Sequence, residues 1–242
     1  MKSIDLSFFN KLLTFFFSLF IFMYVASAEG DLRTIQFSTI SFGEVPRNLW
    51  YENEGRLMEL TVGGEVRGPM MSYAGDSLIE FFQFVPGNGN ELKRLPQGNA
   101  LIPNGVKQAL LCFFPASKSN ERLSWNIFIM DDSLESFGGG DICFVNLTGK
   151  TVAAVMDNER VHLKPGDFEI VDSQPYEELG GLGIKLAIYL EDKWEPFFSS
   201  RWSYLEGERL IIFFLTNEKT DKVEIKAVSQ SIFSAALFNQ NL

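Results

Sequence analysis

Punctuation is what most restricts this chain. Short runs rich in Phe, Ile, Val, Tyr and Leu return every ten to twenty residues, closed off by Gly63-Gly64, Gly68-Pro69, Pro86-Gly87-Asn88-Gly89-Asn90, Pro103-Asn104-Gly105, Pro165-Gly166 and Gly180-Gly181. Such runs read as strands, because aromatic and β-branched side chains fit a pleated surface while Gly, Pro and Asn supply turn geometry. VEIKAV alternates with period 2, putting Val223, Ile225 and Ala227 on one face and Glu224 and Lys226 on the other. NERVHLKPG holds at most one helical turn before Pro165-Gly166 stops it, and no long stretch keeps a helical period. A parallel sheet would need crossover helices. The pattern therefore predicts an all-β sandwich.

The pattern is also written twice, about 100 residues apart. Ile35-Gln36-Phe37 is echoed by Ile142-Cys143-Phe144, and Tyr51-Glu52-Asn53-Glu54 by Met156-Asp157-Asn158-Glu159 where a hairpin turn belongs. Phe81, Phe82 and Phe84 correspond to Leu186, Ile188 and Tyr189, Phe113-Phe114 to Phe213-Phe214, and each half ends on a strand, Trp125–Met130 or Val223–Val228. Four matches in one order predict two tandem modules, 29–136 and 141–230, followed by a tail, 231–242. Phe137-Gly138-Gly139-Gly140 between them is expected to be a flexible joint that buries nothing.

Residues 1–28 stand outside this scheme. Lys2 and Lys11 precede an apolar run from Leu12 to Val25, and Ala26-Ser27-Ala28 places small residues where a signal peptidase reads them. The run is shorter than the roughly 18–20 residues that span a bilayer, so a cleaved signal peptide and an exported, periplasmic or extracellular chain are expected. The net charge of −10 argues against nucleic acid and anionic lipid, which are bound by basic surfaces.

Ile142-Cys143-Phe144-Val145-Asn146-Leu147-Thr148, the hairpin near Asp157-Asn158-Glu159, Leu163-Lys164-Pro165-Gly166 and the strand Gly207–Leu215 carry a resemblance. The chain resembles the secreted, tandem immunoglobulin-like β-sandwich modules of uncharacterised bacterial envelope proteins. The likeness covers mainly the second half; the first half has Leu60-Thr61-Val62-Gly63-Gly64, without a proline, at the matching turn. It implies adhesion, scaffolding or ligand binding rather than catalysis.

Catalytic patterns are fragmentary. Gly75-Asp76-Ser77-Leu78 spells the nucleophile block of one serine esterase family, and Glu159-Arg160-Val161-His162 resembles its base motif. That family needs an α/β domain and a histidine near the end of the chain, so a non-enzymatic protein is expected, with an esterase using Ser77 and His162 as a remote alternative. Thr148-Gly149-Lys150-Thr151 lacks the first glycine of a phosphate loop, and Asp131-Asp132 reads as a solvated pair without a calcium loop around it. With a single histidine and two cysteines, no metal or cofactor site is expected.

Candidate binding residues are the interleaved aromatic and polar side chains Trp194, Phe198, Arg201, Trp202 and Tyr204, with Trp50 and Tyr51 as a similar edge in the first half. Trp, Tyr and Arg dominate binding hot spots, and aromatic rings stack on sugar faces. The same rings could instead close the core. An envelope or extracellular protein is the expected partner, with polysaccharide as the alternative. Cys112 and Cys143 are either bridged or a pair of buried thiols, and Asn146-Leu147-Thr148 is a glycosylation sequon that matters only if the host modifies exported proteins there.

Overall fold

The structure, a computed structural model, describes residues 32–89, 91–116, 123–157, 159–173, 175, 181–202, 207–217 and 220–232; the expected signal peptide and Tyr204 lie outside them. In the first half, β1 (Arg33–Ser41), β2 (Leu49–Asn53), β3 (Arg56–Leu60), β4 (Met71–Gly75), β5 (Leu78–Pro86), β6 (Leu92–Leu101), β7 (Gln108–Pro115) and β8 (Trp125–Asp131) build two sheets. Sheet A runs β4-β1-β7-β8 and sheet B runs β3-β2-β5-β6. In the second half, β9 (Asp141–Asn146), β10 (Val152–Met156), β11 (Glu159–Leu163), β12 (Phe168–Asp172), β13 (Leu182–Leu190), β14 (Lys193–Trp202), β15 (Glu208–Thr216) and β16 (Val223–Ser231) follow. Their sheet C runs β12-β9-β15-β16 and sheet D runs β11-β10-β13-β14, repeating the first half strand for strand. Even the exceptions repeat. The β1–β7 and β9–β15 pairs are parallel, and a bulge interrupts β5–β6 after Phe81 and β13–β14 after Leu186. The chain is an all-β protein of two sandwich modules.

Alternation along the central strands produces three cores. Ile35, Phe37, Ala109, Leu111 and Phe113 point from sheet A toward sheet B and close the first module. Ile142, Phe144, Ile212 and Phe214 point from sheet C toward sheet D and close the second. The intervening residues do not face water. Ile40, Leu110, Cys112 and Met130 from sheet A meet Cys143, Val145, Ile211, Phe213 and Val228 from sheet C in a third buried cluster. The layers therefore stack B, A, C, D. Double-sided burial explains why these strands read as unbroken apolar runs, ALLCFF and LIIFFL, rather than as alternation.

Two expectations are corrected here. The joint buries something: Phe137 is fully shielded within the third core, and the Gly140 amide donates to the Glu208 carbonyl at 2.7 Å. Its glycines do supply backbone freedom, as the φ of 82° at Gly140 requires, but the phenyl ring finds an apolar slot between the sheets and anchors the turn. Each buried side chain of this size contributes about 1.5–3 kcal/mol, so the modules are held face to face rather than tethered. Secondly, Phe113 and Phe213 are not equivalent. Phe113 faces the first core and Phe213 the third, while Phe214 faces the second, so the Phe-Phe match joins residues of opposite faces.

Candidate functional site

Strand register decides which side chains share the outer face of sheet D. Asp157, Gly183 and Arg201 lie across one end of it. The next row is Arg160, Val155, Lys185 and Ser199; the third is His162, Ala153, Ala187 and Pro196; Tyr189 and Trp194 close the far end. The four outer-side residues of β13 and of β14 extend about 20 Å, at roughly 3.4 Å per residue, and the five-residue strands β10 and β11 flank them over a shorter length.

The two ends differ in chemistry. Trp194 and Tyr189 are both 41% exposed, with ring centroids 5.1 Å apart, and the Trp194 ring also lies 5.3 Å from the His162 imidazole. His162 is on β11 and Trp194 on β14, so the indole reaches diagonally over β13 and β10. It can do so because Ala187 and Ala153 keep the floor low. At the opposite end, Arg201 donates to the Gly181 carbonyl at 2.6 Å and faces the Asp157 carboxylate at 3.7 Å. A Cβ on Gly183 would stand 2.9 Å from that carboxylate and 3.2 Å from the guanidinium, so the pair folds down over the glycine. A shallow cavity of about 350 Å³ follows, lined by Val155, Asp157, Gly183, Lys185, Ser199 and Arg201. Exposed rings thus adjoin three cations and two carboxylates, Asp157 and the Asp192 that accepts from the Tyr189 hydroxyl at 3.4 Å, on a protein of net charge −10. Such a patch can stack on planar or sugar faces and attract anionic groups.

The remaining candidates scatter, because alternation sends neighbours to opposite faces. Phe198 and Trp202, 5.9 Å apart, pack against the second core from the inner side of β14, so among the described residues of the expected cluster only Trp194 and Arg201 share the outer face. Tyr51 is a core residue, 2% exposed, whose hydroxyl donates to the Ser72 carbonyl at 3.2 Å. Trp50 is half-buried on the outer face of sheet B, with its ring 5.8 Å from Phe84. Ser77 precedes β5 in the first module and His162 sits on sheet D in the second, so the structure does not bring them together. Cys112 and Cys143 are unbridged, buried thiols in the third core, not in separate cores. Asn146 is fully buried: its amide nitrogen donates to the carbonyls of Lys150 at 2.9 Å and Leu163 at 2.8 Å.

Asp132 is the residue most misread from sequence. It is fully buried rather than solvated, held by Arg67 through two contacts and by Arg209 across the module boundary. An aspartate pair at a strand end looks solvated because its partners lie 65 and 77 residues away. Lys226 and Glu65, 3.2 Å apart, bridge the same boundary at the surface. Among the described residues, no group of three or more His, Cys, Asp or Glu could hold a metal ion, and no helix is long and apolar enough to cross a membrane. No protein-family model matches the chain, and no curated protein is similar to it in sequence.

Proposed function

We propose that the chain is an exported, non-catalytic binding or scaffolding protein whose contact surface is the outer face of sheet D. The supporting observation is the exposed Tyr189, Trp194 and His162 group beside Arg160, Lys185 and Arg201 on a rigid sheet. Preformed aromatic anchors beside charge lose little conformational entropy on binding, which is what a recognition surface needs. The expected partner is an envelope or extracellular protein, consistent with the signal-like N-terminus and the resemblance to secreted tandem modules. Nucleic acid would have to overcome the acidity of the rest of the molecule.

The chain from Glu29, which keeps every described strand, is immobilised and exposed to an envelope extract of its host. A partner captured by the wild type and lost with Trp194→Ala together with Lys185→Glu fits the proposal; equal capture by both chains refutes it. Polysaccharide is the second reading, favoured by the exposed Tyr189–Trp194 ring pair, since such rings stack on sugar faces. Retardation of the chain in gels cast with polysaccharide, abolished by Trp194→Ala, distinguishes it.

A further inference from the structure

The outer face of sheet B occupies the position in the first module that the sheet D face holds in the second, and its chemistry is the reverse. Register places Leu57, Glu52 and Glu80 in one row and Glu59, Trp50, Phe82 and Pro96 in the next. Beside them Arg94 stacks over Phe82 at 4.6 Å and pairs with Glu52 at 3.0 Å. The bulges align the two faces. Trp50, Phe82 and Pro96 stand where Ala153, Ala187 and Pro196 stand in sheet D. On sheet B these positions hold rings, Phe82 shielded beneath Arg94, whereas on sheet D they hold alanines that lie beneath the Trp194 indole. It also carries Glu52, Glu59 and Glu80 against one Arg94, where sheet D has Arg160, Lys185 and Arg201 against Asp157, with Asp192 beside the Tyr189 hydroxyl at its far end.

We propose that copies of this chain stack end to end, the sheet B face of one seating on the sheet D face of the next. This rests on the reading of sheet D as a contact surface, and names its partner as a second copy. Charge selects the pairing: two sheet D faces would set cations against cations and two sheet B faces carboxylates against carboxylates, whereas B on D pairs opposite signs. Sheets B and D are the outermost layers of the stack, so each added copy leaves one of each face free. Such a head-to-tail contact does not close on itself and yields an open filament. Four strands at about 4.8 Å by about 20 Å of length give roughly 400 Å² per copy, about 800 Å² in all, which is the size of a weak contact. Assembly is accordingly concentration-dependent and weakened by salt.

The test is sedimentation of the chain from Glu29 between micromolar and millimolar concentration, at low and high salt. The expected result is an average mass that rises without a plateau at the dimer and falls with salt. Lys185→Glu and Glu80→Lys, both at exposed positions, each raise the apparent dissociation constant by about tenfold or more with unchanged circular dichroism and melting temperature. Neither variant assembles alone, but their equimolar mixture, holding one intact face of each kind, returns to dimers. A chain that stays monomeric throughout, a plateau at the dimer, or assembly indifferent to both variants overturns the proposal. A monomeric chain whose sheet D variant still loses an envelope partner overturns self-stacking and leaves the binding reading in place. Loss of fold in either variant shifts the same comparison to Arg160→Glu and Glu59→Lys.

Discussion

Arg209, from the second module, forms an ion pair with Asp132, from the first, with Nη2 3.0 Å from the carboxylate, and both side chains are fully shielded from water. All three nitrogens of the guanidinium donate hydrogen bonds. Nε and Nη2 reach Gln230 at 3.0 and 2.7 Å, Nη1 reaches the carbonyls of Asp132 at 3.0 Å and Phe137 at 2.7 Å, and the Phe137 ring lies 4.8 Å from the guanidinium carbon. Burial lowers the pKa of Arg209, and the Asp132 charge opposes that shift. The pair fixes how the modules meet: the apolar third core would tolerate sliding, but the buried ion pair and the two hydrogen bonds from Nη1 to the Asp132 and Phe137 carbonyls do not.

Asp132→Ala therefore leaves Arg209 and Arg67 buried without their carboxylate. A cost of about 3–5 kcal/mol is expected, because removing one partner strands an uncompensated charge. Urea denaturation measures it, with a lower midpoint and an unchanged slope. A loss below about 1 kcal/mol, the range of solvent-exposed pairs, would show that water reaches the site.

Cys112 and Cys143 should behave as inert thiols. Burial pushes Cys143 up to about 12 from a usual value of 9.0, and Cys112 higher still by the same cause. In the native state neither should react with an aromatic disulfide reagent at neutral pH, and both should react once the chain is unfolded. Titration of no thiol in denaturant would reveal a bridge. The sign for stability follows from the raised values: the folded chain keeps protons that the unfolded thiols release above 9.0. Stability is unaffected below that pH and falls between 9.0 and about 12 by about 1.4 kcal/mol per pH unit for each thiol. Burial raises Tyr51 and Tyr73 from 10.0 in the same sense, so the Cys112→Ala, Cys143→Ala double variant should be flat between 9.0 and 10.0 and keep only the tyrosines' slope above 10.0.

Turn residues and doubled motifs made the strand-rich, two-module architecture legible, because Gly, Pro and Asn act locally on the backbone. Ile35-x-Phe37 and Ile142-x-Phe144 were readable because both pairs face a module's own core. The third core was not. In ALLCFF and LIIFFL both faces are apolar, so composition carries no phase and does not tell Phe113 from a residue facing the other way. The candidate site failed for the opposite reason. Trp194, Phe198 and Trp202 are neighbours in sequence, but strand alternation and the bulge after Leu186 divide them between outer and inner faces. Tyr189, Lys185, Arg160 and His162 complete the face from strands that only the register brings together.

The sequon at Asn146 should stay unmodified in the folded protein, and expression in a glycosylating host should give a chain with no added mass at that position. The amide nitrogen that would carry the sugar is spent on Lys150 and Leu163, and the oxygen accepts from the Thr148 amide at 3.0 Å and hydroxyl at 2.7 Å. Asn146→Ala orphans these groups and should cost about 2–4 kcal/mol. Asn146→Asp should cost more, since it turns a carboxylate toward two carbonyl oxygens. Equal stability of the two variants would mean that the donor is not what matters.

Adjacent phenylalanines in β15 offer a direct test of the layered arrangement. Phe214 stacks on Phe144 at 6.1 Å within the second module, whereas Phe213 meets Phe42 of the first at 4.8 Å. Either truncation to Ala should cost about 3–5 kcal/mol by removing a buried ring. They should differ in cooperativity. Phe214→Ala weakens one module's own interior, so that module melts first. Phe213→Ala loosens the contact between two modules whose interiors are intact, so calorimetry should show the single transition broadening toward two with little change in either module's secondary structure. Identical profiles for the two variants would mean that the third core does not couple the halves, and that their alignment rests on the Arg209–Asp132 pair alone.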